Sequence, residues 1–132
     1  QTCALPIVSQ LHMDEYIHKK AKTYSLGMKQ KLGIAIAFLN KPQFIILDEP
    51  MNGLDPKAVR DVRELIVQKA QEGVTFLISS HILSELVKIT NSILIINKGK
   101  IVTETSEEEL KQFKDNDLEN VLLEIIERED QA

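Results

Sequence analysis

The sequence is short of several things, and each shortage narrows what it can be. One cysteine, Cys3, in 132 residues excludes an intramolecular disulfide and leaves no cluster for a structural zinc. That usage fits a reducing, cytoplasmic location. Positive charge is not in excess: 16 basic against 20 acidic residues give a net charge of −4, so no basic field exists to hold a phosphate backbone. No nucleic acid is expected as a partner. Long apolar runs are missing too, because Phe44 to Leu47 and Ile93 to Ile96 fall far short of the ~20 residues that a membrane-spanning helix needs. Any service to a membrane is then expected from its cytoplasmic side, through a partner. Gln1-Thr2-Cys3-Ala4-Leu5-Pro6-Ile7 lacks the cationic start and long apolar core of a signal peptide. It reads as the in-frame translation of a common sequencing-library adapter, so residues 1–7 are expected to be a non-native leader, which the sequence of the native locus would check.

What is present is a chain with 43% hydrophobic residues, within the roughly 100–200 residues of one domain, or of a piece of one. Leu32, Ile36 and Leu39, with Ala35 and Ala37 between them, recur at helical spacing after Ser25, a good N-cap, and predict a helix over 26–39. Asn40-Lys41-Pro42 ends it. Phe44-Ile45-Ile46-Leu47 is then a short continuous apolar run of the kind that forms a parallel strand buried on both faces, which leaves Asp48 and Glu49 at its C-terminal end.

Asp55-Pro56 reads as a helix start with proline in the first turn, and Val59, Val62, Leu65 and Ile66 carry that helix to Gly73, its expected C-cap. A second buried strand over 74–79 follows. Strand, helix, strand implies a crossover connection and a parallel α/β sheet, and such sheets bind ligands at the carboxyl ends of their strands. Further on, residues 93–97 and 100–105 form a hairpin-like pair around Lys98-Gly99. Ser106 with Glu109 reads as a capping box for a short helix, and Leu118, Val121, Leu122, Ile125 and Ile126 predict an amphipathic helix over 117–128.

An apolar strand that ends in two acids is the type of element that holds magnesium through one carboxylate and positions a water with the next. Alone, the motif is of moderate specificity. It is not alone: Tyr24-Ser25-Leu26-Gly27-Met28-Lys29-Gln30 precedes it, Asn52-Gly53-Leu54-Asp55 follows, and Ser79-Ser80-His81 closes the next strand. Four elements in this order resemble the ATP-binding cassette (ABC) ATPases, over about residues 23–105. The form Tyr-Ser-x-Gly-Met-Lys-Gln resembles the bacterial exporters associated with bacitracin and lantibiotic resistance.

The resemblance implies an α/β fold class: a partial P-loop NTPase-like parallel sheet flanked by helices, with a C-terminal β-hairpin and helices, its N-terminal phosphate-loop half missing. The expected division is the leader 1–7, the end of a helical subdomain at 8–40, a catalytic core part at 41–105 and a helical tail at 106–132. Asp48 matches the family's magnesium-binding aspartate, Glu49 the carboxylate that orients the attacking water, and His81 the switch histidine that contacts the γ-phosphate. Ser25, Gly27 and Met28 match the signature loop, which meets the ATP of the opposite subunit, and Asp55 matches the aspartate that couples two sites across a dimer. ATP and Mg2+ are the implied cofactors. A transmembrane permease and a second nucleotide-binding subunit are the implied partners, and location at the inner face of the membrane through the permease follows. The family's phosphate loop, Gly-x-x-x-x-Gly-Lys-Ser/Thr, has no counterpart among Gly27, Gly33, Gly53, Gly73 and Gly99. Without its amides and lysine the β- and γ-phosphates have no cradle, and the chain alone is expected to be inactive. Two alternatives stay open: a non-transport ABC ATPase acting on ribosomes or chromosomes, and a non-catalytic interaction module.

Overall fold

The computed structural model describes residues 5–106 and Asn120. Two compact units divide the chain, Gln1–His81 and Ile82–Ala132, and they are built on different rules.

The first unit runs α1 (Leu5–Gln10), a 3-10 turn (Ala21–Thr23), α2 (Leu26–Ala37), β1 (Phe44–Asp48), α3 (Pro56–Gln71) and β2 (Thr75–Ser79). Helix α2 starts where the Ser25 hydroxyl accepts the Met28 N–H at 3.2 Å, which satisfies one of the donors that a helix start leaves open. Helix α3 starts in the same way, with the Asp55 carboxylate accepting from Lys57 and Ala58 N–H, both at 3.0 Å. Pro56 follows at the position where its missing N–H costs nothing. Gly73, with φ of 97°, sits just past the end of α3 in the left-handed conformation that glycine adopts without a Cβ penalty.

With α3 as the crossover, β1 and β2 pair in parallel from Phe44↔Thr75 to Asp48↔Ser79. The expected strands and helices therefore form close to their expected bounds, but the burial expected of the two strands does not hold: β2 has no buried residue and β1 is buried on one face alone. Ile45 and Leu47 are buried, whereas Phe44 and Ile46 are 53% and 64% exposed, so β1 is covered on one face rather than two. Alternate side chains point to opposite faces, and among the described residues only one face of this sheet is covered. On α2, Ile34 and the capping Phe38 are buried while Ile36 and Leu39 are largely exposed. Apolar residues lie all round that helix, so their spacing does not select the inward side.

Helix α3 is unambiguous, with Ala58, Val62, Leu65 and Ile66 forming its buried stripe. Ile7, Val8, Leu11 and Met13 are buried as well, and Gln10 Nε2 donates to Gln68 Oε1 at 3.0 Å to tie α1 to α3. Each Leu-sized side chain removed from water in this way contributes roughly 1.5–3 kcal/mol. The buried Tyr24 donates its hydroxyl to Tyr16 O at 2.9 Å, with the two rings edge to face at 5.1 Å. Burial, with a smaller effect of Tyr24, raises the Tyr16 phenol above its ordinary pKa.

The second unit holds α4 (Leu83–Leu86) and an antiparallel hairpin of β3 (Ile93–Asn97) and β4 (Lys100–Thr105). Lys98 and Gly99 have φ of 49° and 77°, as a two-residue type I′ turn requires. Ile93 and Ile95 pack with Leu83, Leu86, Val87 and Val102. The helix expected from Ser106 and Glu109, and the amphipathic helix expected over 117–128, lie outside the described residues except for Ser106 and Asn120. Among the described residues no helix is long and apolar enough to cross a membrane.

Candidate active site

The parallel register sets the site. Because Asp48 pairs with Ser79, the two strands end side by side, and the residues just beyond them share one end of the sheet. Ser79 Oγ donates to Asp48 Oδ1 and accepts the Glu49 N–H at 3.1 Å. The same N–H also reaches Ser79 O at 3.1 Å. A single hydroxyl thus bridges the last residue of β1 and the first residue after it. Glu49 then turns back with φ of 47°, and its Oε2 lies 2.9 Å from His81 Nδ1. An ionised carboxylate can only accept, so Nδ1 carries the proton of that bond, and in the neutral ring Nε2 is left as an acceptor. His81 is 68% exposed at its side chain and Glu49 34%, which leaves both open to a ligand.

Asp48, Glu49 and His81 are therefore brought together, as the sequence reading expects. Ser25, Gly27 and Met28 stand apart at the start of α2, but that helix is braced against the loop after β1. Gln30 Nε2 donates to Glu49 O at 3.0 Å. A Cβ on Gly27 would lie 3.3 Å from Gly53 O, and one on Gly53, whose φ is 72°, would lie 2.8 Å from Leu26 Cδ2. Asp55 closes the loop as the α3 cap. The N–H groups of Ala58 and then Lys57, helped by the charge of Lys31, hold its carboxyl below the ordinary aspartate value against a smaller opposing effect of desolvation.

Sequence reading assigned no role to Ser79 or Gln30. A hydroxyl residue at the tip of the second strand, in register with the first acid, is the signal that points to Ser79. Gln30 had only its place in the quoted motif.

A cation at this end fits the residues present. Among the described residues no group of three or more His, Cys, Asp or Glu side chains gathers to cage a metal. A carboxylate that takes one hydroxyl proton keeps acceptor capacity, and Mg2+ is satisfied by one or two carboxylates with waters and phosphate oxygens. A cavity of about 790 Å³ opens instead at the opposite ends of the strands, lined by Phe38, Gln43, Lys69 and Thr75 among others. None of the site residues borders it, and ligands of open parallel sheets bind at the carboxyl ends. The chemistry is therefore read from the strand tips.

Known proteins are similar to this chain in sequence and fold. The family model described as "AAA domain, putative AbiEii toxin, Type IV TA system" matches residues 11–87. The "Lantibiotic transport ATP-binding protein SrtF" of Streptococcus pyogenes is 44% identical over 104 residues, which cover 79% of this chain and 45% of that protein. The "Bacitracin transport ATP-binding protein BcrA" of Bacillus licheniformis is 49% identical over 90 residues, covering 67% of this chain and 29% of its own length. A solved structure, "Structure of ATP binding subunit of ABC transporter", superposes with a TM-score of 0.81 at 26% identity, covering 94% of this chain and 53% of that one. The chain spans less than half the length of the two relatives.

Proposed function

Because the chain belongs to the AAA-domain family that its model describes and to the ABC ATPases, we propose that it carries the acid, histidine and signature elements of a subunit that couples ATP hydrolysis to export through a membrane permease. The observation that carries this reading is the Glu49–His81 contact of 2.9 Å beside Asp48, at the end of the sheet where ligands of such folds bind. Glu49 is the water-orienting carboxylate: a general base must sit within hydrogen-bond reach of its water, and a strand tip is a rigid mount. His81, steered by Glu49 through Nδ1, presents Nε2 to the terminal phosphoryl group, whose oxygens accept a hydrogen bond from it when the ring carries a proton on both nitrogens. Asp48 would hold Mg2+, with Ser79 orienting its carboxylate. Held there, the ion would supply positive charge that offsets the charge developing during phosphoryl transfer.

Ser25, Gly27 and Met28 lie at the start of a helix where N–H groups and the helix dipole favour an anion. They serve the ATP held by a second nucleotide-binding subunit, and Asp55 couples the two sites across that dimer. Cargo of the lantibiotic or bacitracin kind, and a location at the inner face of the membrane, follow from the relatives by analogy. With no phosphate loop in its sequence, the chain alone binds ATP poorly and turns it over negligibly.

The test is a chimera that places the preceding half of the Streptococcus pyogenes lantibiotic protein before this chain. ATP turnover is expected in the chimera and not in the chain alone. Glu49→Gln should lower the chimera's turnover by roughly 100-fold or more, the usual scale for a lost general base. A chimera equally active with Glu49→Gln, or robust hydrolysis by the chain by itself, would refute the reading. Retention on a membrane permease rather than on ribosomes separates transport from the non-transport alternative.

A further inference from the structure

We infer that Gln30 is a positioning residue that sets the direction of the Glu49 carboxylate and ties it mechanically to the start of α2. This rests on reading Glu49 as the water-orienting group. Glu49 is an L-residue with φ of 47°, a left-handed conformation that persists only where its surroundings over-determine it. The torsion is fixed when the peptide units on both sides are fixed, and at Glu49 both are held.

On the N-terminal side, the Glu49 N–H donates to Ser79 O and Oγ, each at 3.1 Å. On the C-terminal side, Glu49 O accepts from Asn52 N–H at 3.1 Å and from Gln30 Nε2 at 3.0 Å. The Ser79 and Asn52 bonds belong to the sheet and to the loop itself. Gln30 brings the hold of a separate helix, and its amide is partly buried. With both peptide planes set, the side chain leaves in one direction, toward His81 Nδ1 at 2.9 Å.

The same helix touches the same loop at a second place. Leu26 and Gly27 lie against Gly53 so closely that a Cβ on Gly53 would stand 2.8 Å from Leu26 Cδ2. Two contacts on consecutive turns make α2 and the loop 49–55 move together. A ligand that shifts Ser25 to Met28 would therefore pull on the carbonyl of Glu49, so the signature residues and the catalytic acid of one chain are coupled within it.

The test is NMR on the full chain, with two readouts: the strong intraresidue amide–Hα NOE that a positive φ gives Glu49, and the NOE between the Glu49 side chain and the His81 ring. Gln30→Leu and Gln30→Glu, which remove the donor at nearly constant size, should abolish both. Lys31→Met removes a bond of similar length from the same helix, Lys31 Nζ to Leu11 O at 2.9 Å, and should leave both. Should Gln30→Leu fail to fold, Gln30→Asn draws the amide back by one methylene and should weaken both NOEs in a folded chain. Survival of both signals in the Gln30 variants, or their equal loss in Lys31→Met, would overturn the inference. Full turnover of the Glu49→Gln chimera would instead sink the catalytic reading while leaving the Gln30–Glu49 tie intact.

Discussion

Two loops of this molecule carry the same backbone anomaly for different reasons. After β1, Glu49 takes φ of 47°; after β3, Lys98 takes φ of 49°. At Lys98 the cause is local, because a two-residue hairpin turn matches the strand twist only with both residues left-handed, and Gly99 at φ of 77° supplies the other half. At Glu49 no hairpin demands it. That conformation is held from outside, by Ser79 on the neighbouring strand and Gln30 on α2, and its product is a carboxylate aimed at a histidine. One strained residue is the geometry of a turn; the other marks the site.

Glycines within the two loops sharpen the contrast most. Gly53 and Gly99 both have positive φ, but a Cβ at Gly53 would strike Leu26 while one at Gly99 would meet nothing within 4 Å. Gly99→Ala should therefore cost only the left-handed penalty, about 1 kcal/mol. Gly53→Ala adds displacement of Leu26 and should cost about 2 kcal/mol or more. Urea denaturation measures both. Equal losses would mean that the loop after β1 is no more tightly braced against α2 than the hairpin turn is against solvent.

A second comparison removes the strain itself. Glu49→Gly and Lys98→Gly each free a left-handed position, and each should raise stability by roughly 0.5–1 kcal/mol once the added entropy of the unfolded glycine is subtracted. The Glu49–His81 pair that is lost is solvent-accessible and worth little. Only Glu49→Gly should abolish turnover in the chimera. A Glu49→Gly chain less stable than the parent would show that the carboxylate contributes more to the fold than its backbone costs.

These contrasts explain how much was legible in the sequence. Local chemistry was: Ser25 and Asp55 cap their helices as their side chains dictate, Lys98-Gly99 turns the hairpin, and the acids fall at the end of an apolar strand because the run before them is short. Contacts between distant residues were not. Ser79 and Asp48 are separated by 31 residues, and Gln30 and Glu49 by 19, so neither pairing could be reached without the register of the sheet. The inward face of α2 was not legible for a related reason. With Ile34, Ile36 and Leu39 all apolar, only the packing chooses Ile34.

The smallest expected effect concerns how each loop responds to acid. The loop after β1 ends in a titrating cap, Asp55, whose carboxyl is held below its ordinary value chiefly by the N–H groups of Ala58 and Lys57. A lowered folded-state pKa means that the unfolded chain binds the proton more readily. The contribution of Asp55 is therefore complete above the unfolded value of about 3.9, and it is lost as pH falls through the lower folded value. Asp55→Asn keeps an oxygen that caps without titrating. Urea midpoints of parent and variant should thus differ by a constant between pH 5 and pH 7, on the order of the plateau that linkage predicts, and change relative to one another only below about pH 4. Exposure and salt keep the change small. Lys98→Asn in the hairpin turn removes no carboxylate, so it should shift the midpoint by the same amount at every pH tested. If Asp55→Asn likewise gave a shift independent of pH down to pH 3, the cap would be held by its shape alone and not by its charge, and the two loops would not differ in this respect.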